Sequence, residues 1–141
     1  MRGIALLLAI STTVFAAPVP KDRQPPPDEQ RVLGFWNTIR VEADGKTHQT
    51  SVWEFQEKKM FAQQQKDGSP TSVWIISINP KKSPKEIMIG PYPGIYEFDG
   101  DTLKICYAYD TNPQRPTKFE TDNKANINFN VLHRVAAPNP K

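Results

Sequence analysis

The sequence predicts an all-β fold, a small eight-stranded antiparallel up-and-down barrel. Three observations carry that reading. Asp44-Gly45, Asp67-Gly68 and Asp99-Gly100 each divide two β-rich runs, and Asp-Gly suits tight hairpin turns because they need positive φ. Along the arms, apolar and aromatic residues alternate with polar ones, the period of a strand with one buried face. No amphipathic helix is available to cover that face. Closing the sheet on itself would bury it and remove the edges. A two-sheet sandwich is the competing solution, and the consecutive hairpins favour the barrel.

Taken in order, the chain of 141 residues begins with Met1-Arg2-Gly3 and an uncharged run from Ile4 to Ala16. One basic residue, a short apolar run and small residues at its end predict a secretory signal over 1–16, cleaved after Ala16. The run is too short to cross a bilayer as a helix, which needs about 20 residues. Export to the periplasm or the extracellular space follows as an expectation, with no transmembrane segment in the mature chain. Residues 17–31 carry Pro18, Pro20, Pro25, Pro26 and Pro27 among charges, the composition of an extended linker that builds no core. Residues 32–135 form the expected domain, and 136–141 a disordered tail.

Within the domain the predicted hairpin arms are Leu33–Ala43 with Lys46–Gln56, Lys59–Gln65 with Thr71–Asn79, and Gly94–Phe98 with Thr102–Tyr109. A short strand, Glu86–Ile89, lies between proline-marked loops, and Asn126–Val135 closes the sheet. Thr117–Thr121 could form a single turn. Two-residue loops set Trp36 opposite Trp53, with Phe55 beside them, and Phe61 opposite Trp74. At Asp99-Gly100 either of two registers puts Tyr96 and Phe98 with Leu103, Ile105 and Tyr107 on the inner face. Both turn Cys106 outward with Ile95, Glu97 and Lys104. On the first strand, Trp36, Thr38, Arg40 and Glu42 share one face and Phe35, Ile39 and Val41 the other. A β-bulge after Trp36 would turn Ile39 and Val41 inward, so the pattern leaves open whether one end of the interior is greasy or polar.

Composition narrows the partners. The formal charge is +3, and losing Arg2 with the leader brings it to +2. That is too small to predict nucleic acid or an acidic membrane as partner. The single cysteine, Cys106, excludes an internal disulfide and is expected to act as a small hydrophobe in a strand.

Gly34-Phe35-Trp36 near the start of the domain and Leu132-His133-Arg134 near its end resemble the lipocalin-type barrel, in which a first-strand Trp closes the floor and a late Arg packs across it. The longer match includes Ser83-Pro84-Lys85, the run Gly94-Ile95-Tyr96-Glu97-Phe98-Asp99-Gly100-Asp101-Thr102-Leu103-Lys104-Ile105-Cys106-Tyr107, and Arg115-Pro116-Thr117-Lys118-Phe119. Together these resemble an uncharacterised family of exported lipocalin-like domains found mainly in planctomycete bacteria. The resemblance implies a small barrel with Trp36 and Arg134 as its floor pair, and no activity or cofactor. The compact stretch Ile89-Gly90-Pro91-Tyr92-Pro93 departs from such barrels, which often carry a longer loop there.

Candidate chemistry is sparse. Asp99 and Asp101 flank a turn glycine, where Asp belongs for backbone reasons. His48 and His133 stand on different strands without ligand spacing around them, and no nucleophile elbow or phosphate loop occurs. No catalytic residue, metal or cofactor is therefore expected. Trp53, Phe55, Phe61, Trp74, Tyr96, Phe98, Ile105, Tyr107 and Phe129, with Ile127 and Val131, form the candidate interior. The leading reading is a filled core and the alternative a ligand cavity, since an eight-stranded barrel is just wide enough for either. The expected function is a monomeric, exported, non-enzymatic module that binds a macromolecular or envelope partner. The alternative is a carrier of a small apolar ligand, and the third reading an unrecognised hydrolase.

Overall fold

The computed structural model describes residues 24–63 and 70–137. The leader and the Asp67-Gly68 turn lie outside these residues. Eight antiparallel strands, β1 (Gly34–Val41), β2 (Thr47–Gln56), β3 (Lys59–Gln63), β4 (Pro70–Asn79), β5 (Lys85–Ile89), β6 (Tyr92–Asp99), β7 (Thr102–Ala108) and β8 (Ile127–Val135), follow one another in chain order. β8 pairs back onto β1, closing the barrel. A four-residue helix, α1 (Asp28–Arg31), precedes β1.

The turns set the register. Between β1 and β2 the Glu42 N–H bonds to the Lys46 carbonyl at 2.8 Å, and Gly45 N–H to the Glu42 carbonyl at 2.9 Å. Gly45 has φ +82°, so the loop has three residues, a turn closed by a left-handed glycine. That shifts the pairing by one from a two-residue loop. A second irregularity cancels the shift: Thr38 pairs with Ser51 but Ile39 with Gln49, which leaves Thr50 as the extra residue of a bulge. Trp36 thus still pairs with Trp53. The bulge lies in β2, so alternation along β1 is unbroken, and Trp36, Thr38 and Arg40 face inward while Ile39 and Val41 do not. At the β6–β7 turn Phe98 pairs with Leu103 and Glu97 with Lys104, the second of the two predicted registers, with Gly100 at φ +59°. β5 and β6 form a hairpin the sequence did not predict. Ile89 pairs with Tyr92, leaving Gly90-Pro91 as the loop and extending β6 back through Pro93.

Four members of the predicted interior, Phe61, Ile127, Phe129 and Val131, lie elsewhere. Phe61 pairs with Val73 and Met60 with Trp74, one position away from the predicted register. Met60 is therefore the inward residue, 2 % exposed, and Phe61 faces out. Phe129 also faces out, as do Ile127 and Val131, because Asn130 and Leu132 take the inner face of β8. Phe129 is covered from outside by the long β7–β8 connection, where Phe119 stacks against it at 6.0 Å between ring centroids. Residues 117–121 bend there without forming a helical turn. Thr121 Oγ1 donates to the Val41 carbonyl and accepts the Phe129 N–H at 3.3 Å. Arg115 pins the same connection to β5 and β6 by donating to the carbonyls of Ile87, at 3.0 Å, and Gly94.

One end of the barrel is filled. Trp36, Phe55, Ile87, Tyr96, Leu103, Ile105 and Leu132 are each at most 2 % exposed there and along the axis. The Arg134 guanidinium lies 4.2 Å from the Trp36 ring centre and donates to the carbonyls of Leu33, at 2.8 Å, and Arg31. Trp36 Nε1 donates to the Val32 carbonyl at 2.8 Å. Gly34, at φ +111°, allows this closure, because a Cβ there would meet Arg134 Nη1 at 3.0 Å. The folded unit also begins earlier than its predicted start at 32. α1 crosses the closed end, and its buried Asp28 accepts hydrogen bonds from Lys85 Nζ at 2.7 Å and the Tyr96 hydroxyl at 2.9 Å. Burial alone would raise the Asp28 pKa, but those two bonds and the charges of Lys85 and Arg31 hold it below the usual carboxylate value.

Candidate functional site

Among the described residues the other end of the barrel is open, and it holds a cavity of about 220 Å³. Its walls follow from strand alternation. On β1 the inward row runs Trp36, Thr38, Arg40 from the floor upward. Facing it on β8 are Arg134, Leu132 and Asn130, and on β7 Leu103, Ile105 and Tyr107. The interior therefore changes from apolar to polar along its axis, with Arg40 opposite Asn130 at the cavity. The Thr50 bulge brings both Thr50 and Ser51 to the lining, which an unbroken strand would not do.

Aromatic rings form much of the rest. Trp53 lies 6.4 Å from Tyr107 between ring centroids, Trp74 5.4 Å from Tyr92, and Tyr92 4.4 Å from Tyr109. Trp74 is seated against the β5–β6 turn. A Cβ on Gly90, itself at φ +57°, would come within 2.6 Å of the indole ring. The tight Gly90-Pro91 turn thus shapes one wall of the mouth.

The polar groups are unevenly satisfied. Arg40 Nη2 donates to Asn128 Oδ1, and among the described residues no carboxylate lies within ion-pair distance of Arg40. Asn130 is 4 % exposed and Thr38 fully buried, yet Asn130 Nδ2 and Thr38 Oγ1 have no hydrogen-bond partner among the described residues. Burial raises the Tyr107 hydroxyl pKa against the opposing pull of Arg40 and Asn128. The hydrogen bond with Tyr109, aided by burial, raises that of Tyr92. At neutral pH both are protonated hydrogen-bonding groups.

Of the residues read from sequence as interior, Trp53, Trp74 and Tyr107 line this cavity. Phe55, Tyr96, Phe98 and Ile105 belong to the filled part, where Phe98 packs on Trp36 at 6.4 Å, and Trp36 with Arg134 closes the floor. Phe61 and Phe129 contribute to neither. Sequence reasoning missed Arg40, Asn130, Tyr92 and Tyr109 as cavity residues. Arg40 had a signal, since it shares a strand face with Trp36.

Cys106 points away from the barrel axis but is fully buried under the β7–β8 connection, where its Sγ lies 3.5 Å from the Glu120 carbonyl. Burial pushes the thiol up to about 11. His48 lies 3.5 Å from Glu42 and His133 is exposed on another strand. Among the described residues no group of three or more His, Cys, Asp or Glu side chains converges as a metal site. No helix among them is long and apolar enough to cross a membrane. Neither any protein-family model nor any curated protein sequence matches this chain.

Proposed function

We propose that this chain is an exported, non-enzymatic binding module that holds one small, largely apolar molecule in the open end of its barrel. The observation that carries the reading is a cavity of about 220 Å³ whose lining includes Asn130, with the buried Nδ2 of that residue lacking a partner among the described residues. A buried donor left unsatisfied costs about 1–3 kcal/mol, so such a group calls for a partner that the described residues do not supply. A cavity of about 150 Å³ takes benzene. By proportion this one takes about nine non-hydrogen atoms, well below drug size. Binding is favoured over catalysis because the wall offers aromatic faces and protonated hydroxyls, which orient a ligand without supplying a base or a nucleophile.

Export rests on the composition of the leader, and kinship with lipocalin-like domains rests on Gly34, Trp36 and Arg134 sharing the closed end. A macromolecular partner is the second reading, favoured by Val73 and Ile75, which stand 55 % and 74 % exposed on the outer face of β4. Native mass spectrometry of the protein purified from its own envelope separates the two. The expected result is a bound species of the size given above. Recovery of the bare chain, or of the chain with a second protein and no small molecule, refutes the small-ligand reading.

A further inference from the structure

The cavity's polar groups are weighted toward donors. Arg40 carries a full positive charge into the barrel. Among the described residues its guanidinium donates to the neutral Asn128 amide and has no counter-ion. Directly across the β1–β8 ladder stands Asn130, 4 % exposed and part of the cavity lining, its amide nitrogen without a partner among the described residues. These two residues line the pocket from adjacent strands, and Trp53, Trp74 and Tyr92 belong to the same lining. A guanidinium partly withdrawn from water gains most from an anion that it can hydrogen-bond as well as neutralise. A carboxylate would also accept from the Asn130 amide, satisfying a group that the described residues leave unpaired.

We infer that the ligand is a small carboxylic acid with a single ring, bound as the anion, its carboxylate between Arg40 and Asn130 and its ring among the indoles and Tyr92. The inference rests on the cavity reading above and adds the chemistry of the head group. The size fits: about nine non-hydrogen atoms is close to one six-membered ring plus a short acid arm. A long-chain fatty acid is too large, because the filled floor around Trp36 and Phe98 blocks the lower half of the barrel.

Three probes of nearly equal size separate the head-group inference from the cavity reading: phenylacetate, 2-phenylethanol and ethylbenzene. Each is titrated into the full chain at pH 7 and low salt, with the fluorescence of Trp53 and Trp74 as the signal. The expected order is phenylacetate tightest, at least tenfold tighter than ethylbenzene, with 2-phenylethanol between. Arg40→Gln removes the preference for phenylacetate over 2-phenylethanol. Because the comparison within the unaltered protein decides the point, a poorly folding variant does not blunt the test. Equal or tighter binding of ethylbenzene overturns the carboxylate and leaves the cavity reading standing. No saturable response to any probe up to millimolar concentration overturns both.

Discussion

Replacing Asp28 with alanine tests whether the segment before β1 is part of the fold. The carboxylate is 8 % exposed and accepts from Lys85 and from Tyr96, whose ring is itself 2 % exposed. Removing it leaves the Tyr96 hydroxyl buried without an acceptor, at about 1–3 kcal/mol. The Lys85 ammonium, with its side chain 39 % exposed, returns to water, so its lost ion pair adds little. The net expectation is a loss of about 2 kcal/mol at pH 7, read by urea unfolding with an unchanged m-value. The sign of the pH dependence follows from the lowered Asp28 pKa. A group whose pKa is depressed by folding stabilises above its unfolded value, about 3.9, and that stabilisation is lost as pH falls through the folded value. The gap between the unaltered protein and Asp28→Ala therefore narrows as pH is taken below about 4. Asp28→Asn, which keeps an acceptor for Tyr96 but no charge, falls between the two at pH 7. A gap under about 0.5 kcal/mol at pH 7, or one that stays constant to pH 3, would show that the floor contact does not carry the stability assigned to it.

Two further outcomes bear on the floor and on the buried outer face. Gly34→Ala places a side chain at φ +111° and 3.0 Å from Arg134 Nη1, so a loss of about 1–3 kcal/mol is expected in thermal or urea unfolding; a neutral substitution would mean that Arg134 moves aside freely. Cys106, fully buried with its thiol pushed up to about 11, is expected to react with a disulfide reagent at pH 8 only as fast as the protein opens. Labelling within seconds under native conditions would contradict the coverage by the β7–β8 connection.

Closure, strand number and the grouping of Tyr96 and Phe98 with Leu103, Ile105 and Tyr107 were legible because the turn chemistry and the alternation agreed. The Trp36–Trp53 pair was legible for a weaker reason: a three-residue loop and the Thr50 bulge shift the register by one in opposite senses. Alternation sorts residues into two faces without saying which is inside. On β8 both faces carry large apolar residues, Phe129 and Val131 on one and Leu132 on the other. Only the covering segment with Phe119 and Thr121 explains why Phe129 lies outside. The same uncertainty hid the cavity. Thr38 and Arg40 share a strand face with Trp36, but a bulge in β1 would have turned Ile39 and Val41 inward in their place, and their inward placement depends on the bulge lying in β2. The one-turn helix was hidden because four residues after a proline run carry no periodicity, and its anchor, Asp28, depends on partners 57 and 68 positions away in the chain.

An even count of up-and-down strands has a consequence of parity. β1 starts and β8 finishes at the same rim, so the backbone arrives through Asp28–Arg31 and departs after Val135 beside Arg134, both opposite the cavity. Both described flanks therefore lie behind the barrel floor, and neither crosses the rim that carries the cavity.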